Sequence, residues 1–395
     1  MGVTDREQEI IDLLRREPLI TPAEIAERLG SSRAAVNVHL SNLGRKGVIL
    51  GRGYILSERP PVVVVGGANL DIKARSSAAA IAHTSNPGHT STTPGGVARN
   101  IAENLARLGT PTQLIAAIGR DPYGERLLAD TRAAGVLLDH VHRGEHPTGS
   151  YTAVLDADGE LLMAVADMTA TDDLRPEHLR SARELIAHAA LLVLDGNLPA
   201  ATTAHLLDLA HAGDVRVVVD PVSVPKAARL APLLRPARPI FALTPNRDEL
   251  RALTGDGQVG DTDAALAHAA AVLHDRGVRH VWIRLGASGS LLSTRTPGPG
   301  GEAEAPAELH RLAADPAEVQ DVTGAGDAML AAFAYALLAG HGPAEAARHG
   351  HAAAALTLQS THTVRPDLTA RLLDEALQRT PAIPAPSARE STQPR

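Results

Sequence analysis

Residues 321–327 read Asp-Val-Thr-Gly-Ala-Gly-Asp and run directly into an apolar helical pattern at 328–339. A small-residue turn opening a helix leaves backbone N–H groups without intrahelical acceptors, at the positive end of the helix dipole. Anions, phosphate above all, bind in such places. Gly324 and Gly326 lack a Cβ, so a ligand can approach the main chain closely. Gly324, Ala325 and Gly326 are therefore expected to form an anion hole. Asp327 is the odd residue, because a carboxylate beside an anion-binding turn repels the anion. The task that fits it is taking a proton from a hydroxyl as that hydroxyl attacks a phosphoryl group held by the turn. The competing reading is an ordinary Asp at a helix start. The chain has no G-x-x-x-x-G-K-[ST] loop, and Gly324-Ala-Gly326 lacks the third glycine of a dinucleotide fingerprint. The expectation is phosphate chemistry without a P-loop lysine.

Two further constellations lie upstream. The apolar run 62–65 ends in Gly66-Gly67-Ala68-Asn69-Leu70-Asp71, and ligands of open α/β sheets bind beyond the carboxyl ends of strands. Asn69 and Asp71 alternate, so they share a face and could grip vicinal hydroxyls. Pro94-Gly95-Gly96-Val97-Ala98-Arg99-Asn100 is a second glycine turn leading into a helix at 101–108, with Asn100 available to a hydroxyl or carbonyl. Either alone could be turn chemistry; combined with 321–327 they outline a site.

The elements that must position these residues follow from pattern. Apolar runs at 62–65, 191–194, 215–219 and 281–285 alternate with helical stretches, which predicts a parallel sheet covered by helices. Two polar, alternating segments, 72–93 and 148–166, fit better as a small sheet outside it. The segment 294–306 is a Gly/Pro-rich loop, and 378–395 has the composition of a disordered tail. Apolar residues make up 44% of the 395 and aromatics 2%, so the core must be built from Ala, Leu and Val. The absence of Cys excludes disulfides and thiolate chemistry. The net charge of −7 gives no global field toward nucleic acid. No apolar stretch has bilayer length, and the polar, acidic N-terminus is unlike a signal peptide. A soluble cytoplasmic protein with no membrane partner is expected.

Residues 1–59 read as a separate unit. An amphipathic helix at 5–16 precedes Pro18. Thr21-Pro22-Ala23-Glu24 is a capping box opening a second helix, and Ser31 or Ser32 caps a third, through Lys46. A hairpin turning at Gly51-Arg52-Gly53 follows. This outline resembles the winged helix-turn-helix of bacterial transcription regulators. That resemblance implies a DNA partner, with Arg33, Asn37 and Ser41 in a major groove and Arg52 near backbone or minor groove. Basic and acidic residues nearly balance in this segment, so a protein-binding or vestigial module is the alternative.

Over 61–377 the chain resembles the ribokinase-like (PfkB) carbohydrate kinases. The resemblance rests on Gly95-Gly96 with Asn100, on Asn246-x-x-Glu249, on Gly286-x-x-Gly289 and on 321–327. It implies a Rossmann-like α/β fold with a β lid over 60–377, preceded by the winged-helix domain at 1–59. It also implies ATP and Mg²⁺ as cofactors and a homodimer paired through the lid. Asp327 becomes the base. Asn246, Glu249, Gly286 and Gly289 serve ATP, with Glu249 reaching Mg²⁺ through water; Lys226, after the strand that ends in Asp220-Pro-Val-Ser223, could reach an ATP phosphate or be a solvated surface lysine. Asn69, Asp71, Gly95, Gly96 and Asn100 hold the sugar. Asp321 and Thr323 match positions that bind a monovalent cation, K⁺, in many relatives.

Ribokinases proper carry Lys after the Gly-Gly pair, where Val97 stands here. The local sequences at 85–88, 94–104, 220–223 and 322–329 look instead like the branch that phosphorylates the 5′-hydroxyl of pseudouridine. Ser85, Asn86, Thr148, Ser150 and Tyr151 are then candidates for base recognition, with Asp195 and Asn197 adding contacts to ribose or base. Two alternatives stand beside this: a kinase for ribose, another nucleoside or another sugar, and a transcription regulator whose kinase-like half only senses ligand.

Overall fold

The computed structural model describes residues 3–50, 60–295 and 307–379. Arg52 and its hairpin turn, most of the 294–306 loop and nearly all of the 378–395 tail lie outside them. The chain divides into two compact units, Met1–Val217 and Val218–Arg395. Among the described residues no helix is long and apolar enough to cross a membrane.

The first unit begins with helices Asp5–Arg16, Pro22–Arg28 and Arg33–Arg45. Each starts where a side chain supplies an acceptor to the orphan N–H groups: Thr4, Thr21 and Ser32 cap them. Ile10, Leu14, Ile25, Val36 and Leu43 are among the residues of their common core. Arg33, Asn37 and Ser41 are exposed on the third helix. Lys46 is not free to meet a backbone phosphate, because its ammonium lies 2.8 Å from the buried Glu7 carboxylate. Burial alone would raise the Glu7 pKa; Lys46 and the Thr4 N–H overrule it and hold it below the ordinary glutamate value.

The same unit contains a parallel three-stranded ladder, Thr112–Ile115, Val62–Val65 and Leu191–Asp195 in that order. Its strands are buried throughout, hence their continuous apolar sequence. The lid is a four-stranded sheet in the order Gly88–Gly95, Asn69–Ser76, Ser150–Leu155, Leu161–Asp167. Asn69 and Asp71 thus belong to a lid strand itself. Leu161, Leu162, Met163 and Val165 are exposed along its last strand.

The second unit carries strands Val217–Asp220, Ile240–Leu243, Val278–Arg284, Ser290–Thr294 and Glu308–Leu312, the first beginning at the unit boundary. The first three are parallel, as expected, but the last two run antiparallel. Residues 285–289 alone join Arg284 to Ser290, too few for a crossover helix, so the chain must turn back on itself. Trp282, fully buried, stacks on Phe333 with ring centroids 5.0 Å apart. Its indole N–H donates to Ser290 Oγ at 2.8 Å. These contacts fix the strand ending at Arg284 against helix Ala325–Leu338.

Candidate active site

The turn at 321–324 is folded by its own side chains. Asp321 Oδ1 accepts from the Thr323 N–H at 2.8 Å. Gly324 is the N-cap of helix Ala325–Leu338 in the left-handed region, φ +82°, and as a glycine it offers no side-chain cap. The Ala325 N–H makes only a 3.4 Å contact with the Val322 carbonyl. The first-turn N–H groups of Ala325, Gly326 and Asp327 have no intrahelical acceptor. Asp327 lies in that first turn and is 9% exposed.

Asn246 and Glu249 form a reciprocal capping box on helix Arg247–Thr254: Asn246 N–H to Glu249 Oε2 at 2.8 Å, and Glu249 N–H to Asn246 Oδ1 at 2.9 Å. This pair has a folding role of its own. Burial raises the Glu249 pKa, with Arg284 opposing. Arg284 donates to Asp220 Oδ2 at 2.9 Å and lies 3.5 Å from Glu249. Asp220 is held from below by the Val222 N–H at 2.8 Å. Val222 adopts φ +69°, and the Ser223 N–H closes a three-residue turn onto the Pro221 carbonyl at 2.8 Å. A β-branched residue in that region is strained, and the strain sits beside the site's carboxylates. Neither Asp220 nor Arg284 was assigned a role from sequence. The available signal was a charge ending an otherwise apolar strand, at the edge where ligands bind.

Among the described residues no three His, Asp or Glu side chains form a metal-holding group. That is compatible with Mg²⁺, which keeps its waters and binds through one or two carboxylates plus substrate phosphates. The buried Glu249 and Asp220 carboxylates are of the right type. Lys226 sits in the first turn of helix Val224–Leu230, half-buried. Gly286, φ +59°, opens an exposed turn, while a Cβ at Gly289 would overlap the Leu312 carbonyl.

In the first unit, Asn69 Nδ2 donates to Asp71 Oδ1 at 2.7 Å. Burial raises the Asp71 pKa against that bond and the charges of Lys73 and Arg99. A Cβ at Gly95 would collide with the Asp71 carboxylate, and one at Gly96 with the Gly67 carbonyl. At Gly96 the clash is with backbone, so glycine there is a packing requirement. Asn100 Oδ1 accepts from Arg99 Nη1 at 2.9 Å, and Arg99 is locked in turn by Glu103. Asn69, Asp71, Gly95, Gly96 and Asn100 are thus brought together as expected from their spacing.

Asp195 and Asn197 are placed differently from the expectation of direct ligand contacts. The buried Asp195 carboxylate accepts from the N–H groups of Gly67, Ala98 and Asn197, each at 2.9 Å, and from Asn197 Nδ2 at 3.0 Å. It clamps both glycine turns to the central ladder. Burial raises its pKa against those four donors. In Asp195→Asn, at least one backbone N–H would face an amide NH₂, costing about 2–3 kcal/mol. Urea unfolding without ligand should show that loss. Unchanged stability with a raised KM would instead make Asp195 a ligand contact.

The lid candidates separate similarly. The Thr148 hydroxyl accepts from Gly119 N–H at 3.1 Å and donates to Asp121 at 2.8 Å. The Asn86 amide is tied to Ile81 N–H and carbonyl, both 2.8 Å, closing its loop, while Ser85 is exposed. Tyr151 pairs with Asp71 across the sheet and so shares its face; Ser150, one residue away, lies on the other.

The profile described as pfkB family carbohydrate kinase matches residues 60–370, and that described as winged helix-turn-helix DNA-binding matches 4–49. The chain is 35% identical over 382 residues to "Uncharacterized sugar kinase YeiI" of Escherichia coli, covering 96% of this chain and 100% of that one. It is 36% identical over 316 residues to the pseudouridine kinase of the same organism, covering 80% and 95% respectively. The structure of Arabidopsis thaliana ribokinase complexed with ribose and ATP superposes with a TM-score of 0.67 at 27% identity, over 81% of this chain and 99% of that one.

Proposed function

Because the chain belongs to the pfkB family of carbohydrate kinases, we propose that it transfers the terminal phosphoryl group of ATP to the 5′-hydroxyl of pseudouridine. The observation that carries the substrate is the 36% identity extending over 95% of a pseudouridine kinase. Val97, where ribokinases proper carry Lys, points the same way.

In this reading Asp327 accepts the proton of the attacking hydroxyl. The N–H groups at 324–326 and the helix dipole hold the phosphoryl oxygens as charge develops. Such a loose transition state needs positioning and charge stabilisation more than covalent help. Asn69, Asp71 and Asn100 grip the ribose, with Gly95 and Gly96 allowing the backbone to fold under them. Tyr151, on the Asp71 face, is the lid residue that would meet the base. Glu249, with Asn246, would hold Mg²⁺ through water; when bound, that ion neutralises phosphate charge. Asp321 and Thr323 would line a K⁺ site. The exposed apolar strand Leu161–Asp167 suits pairing with a second copy, giving a homodimer.

The winged-helix domain is assigned DNA as its partner, read by Arg33, Asn37 and Ser41, with Arg52 on the wing. The likeness to a sugar kinase over 96% of this chain spans both domains, which supports a fused kinase and regulator. The deciding experiment is kcat/KM over a panel of pseudouridine, uridine, ribose and sugar phosphates. Pseudouridine should lead; a higher value for ribose removes this substrate. Binding of the upstream DNA at low salt tests the regulatory half.

A further inference from the structure

Phosphate-binding turns elsewhere rely on a nearby cation, and the absence of a P-loop lysine leaves that place open. In the second unit it is filled by a residue no motif marks. A Cβ built on Gly326 would lie 2.8 Å from Arg284 Nη1. The guanidinium therefore rests directly against the first turn of helix Ala325–Leu338. Its backbone is anchored to the Asn246 segment: Arg284 N–H donates to the Pro245 carbonyl at 2.8 Å, and Arg284 bridges Asn246 in parallel register. One residue thus joins the glycine turn, the Asn-x-x-Glu pair and Asp220.

The Asp220 and Glu249 side chains are 3% and 2% exposed, while Arg284 keeps 16%. Arg284 is thus the least enclosed member of the trio. Only one of its carboxylate contacts is short, 2.9 Å to Asp220 Oδ2; the others are 3.4 Å and 3.5 Å. A guanidinium has five donors in a planar fork that matches phosphate oxygens. Burial opposes its charge, but Asp220, Glu249 and Asp327 overrule that and hold it firmly protonated.

We propose that Arg284 is a catalytic residue of the phosphoryl transfer: it holds Asp220 and Glu249 in the resting enzyme and turns its remaining donors to the terminal phosphoryl group seated on the 324–326 turn. No bond to Arg284 forms or breaks; it balances charge while the proton goes to Asp327. This rests on the kinase reading above.

The test uses Arg284→Lys in the full chain, which keeps the positive charge beside Asp220 but loses the fork. Kd for Mg·ATP and Mg·ADP is measured without acceptor, together with kcat. Loss of γ-phosphate contacts should weaken ATP about tenfold while leaving ADP within about twofold, and lower kcat on the order of 10²-fold. Arg284→Gln should widen the ATP-to-ADP difference, and added guanidinium ion should recover part of its kcat. An unchanged ATP-to-ADP ratio with wild-type kcat in Arg284→Lys overturns the assignment. Failure of the wild type itself to bind ATP overturns the kinase reading instead, so the two failures are distinct.

Discussion

Asp327→Asn should lower kcat about 10²- to 10⁴-fold, the range spanned by general-base catalysis, and leave Mg·ATP affinity within about twofold. The substitution is isosteric and removes only basicity and charge. It should not unwind the helix, because the N-cap Gly324 is left in place and Asn has nearly the helix propensity of Asp. The lost interaction of a carboxylate with a helix N-terminus is worth about 0.3–1 kcal/mol, too little to unfold a chain with so large a core. Removing a negative charge beside the anion hole relieves repulsion, so ATP binding should hold or tighten slightly. A coupled assay of ADP release, with ATP titrated separately in the absence of acceptor, separates the two. If activity stays near wild type, Asp327 is not the base and the turn serves only to bind.

The parts of this site that sequence displayed are those whose chemistry is local. A glycine at a helix start, a Thr-Pro-Ala-Glu capping box and an Asn-Leu-Asp alternation each work through neighbours within a few residues. Their backbone consequences, φ +82° at Gly324 and the Thr21 and Ser32 caps, followed. The residues left without a role in the sequence, or given one that moved, are defined by partners far along the chain. Asp220 and Arg284 are 64 positions apart, and neither charge can be ranked as buried or solvated until the sheet folds. Asp195 reads as a polar strand exit free for ligand, yet its acceptors are spent on Gly67 and Ala98, 128 and 97 residues upstream. Lys46 reads only as the polar end of the third helix, and its charge is paired with Glu7, 39 positions upstream. In each case the residue type was visible and its partner was not. The antiparallel edge departs from the parallel pattern because 286–289, which reads as a ligand motif, is also a connection too short for a crossover.

Gly324→Ala tests whether the turn is as rigid as an anion hole requires. Two penalties combine there. An alanine in the left-handed region costs about 1–2 kcal/mol, and its Cβ would overlap the Thr363 carbonyl oxygen, a backbone atom that cannot rotate away. Relief would require shifting either the 360–364 segment or the turn itself, which moves the N–H groups that receive phosphate. A loss of more than about 3 kcal/mol is expected, together with a clear rise in Kd for ATP. Gly286→Ala is the matched comparison: its φ is also positive, at +59°, but a Cβ there would meet no atom within 4 Å. That variant should lose only the conformational part, about 1–2 kcal/mol. Urea unfolding of both variants measures the difference, which is the steric share of the turn's rigidity. Equal losses would mean that the Thr363 carbonyl yields freely. The anion hole would then be shaped by its ligand on binding, and the helix dipole rather than preset N–H geometry would supply its affinity.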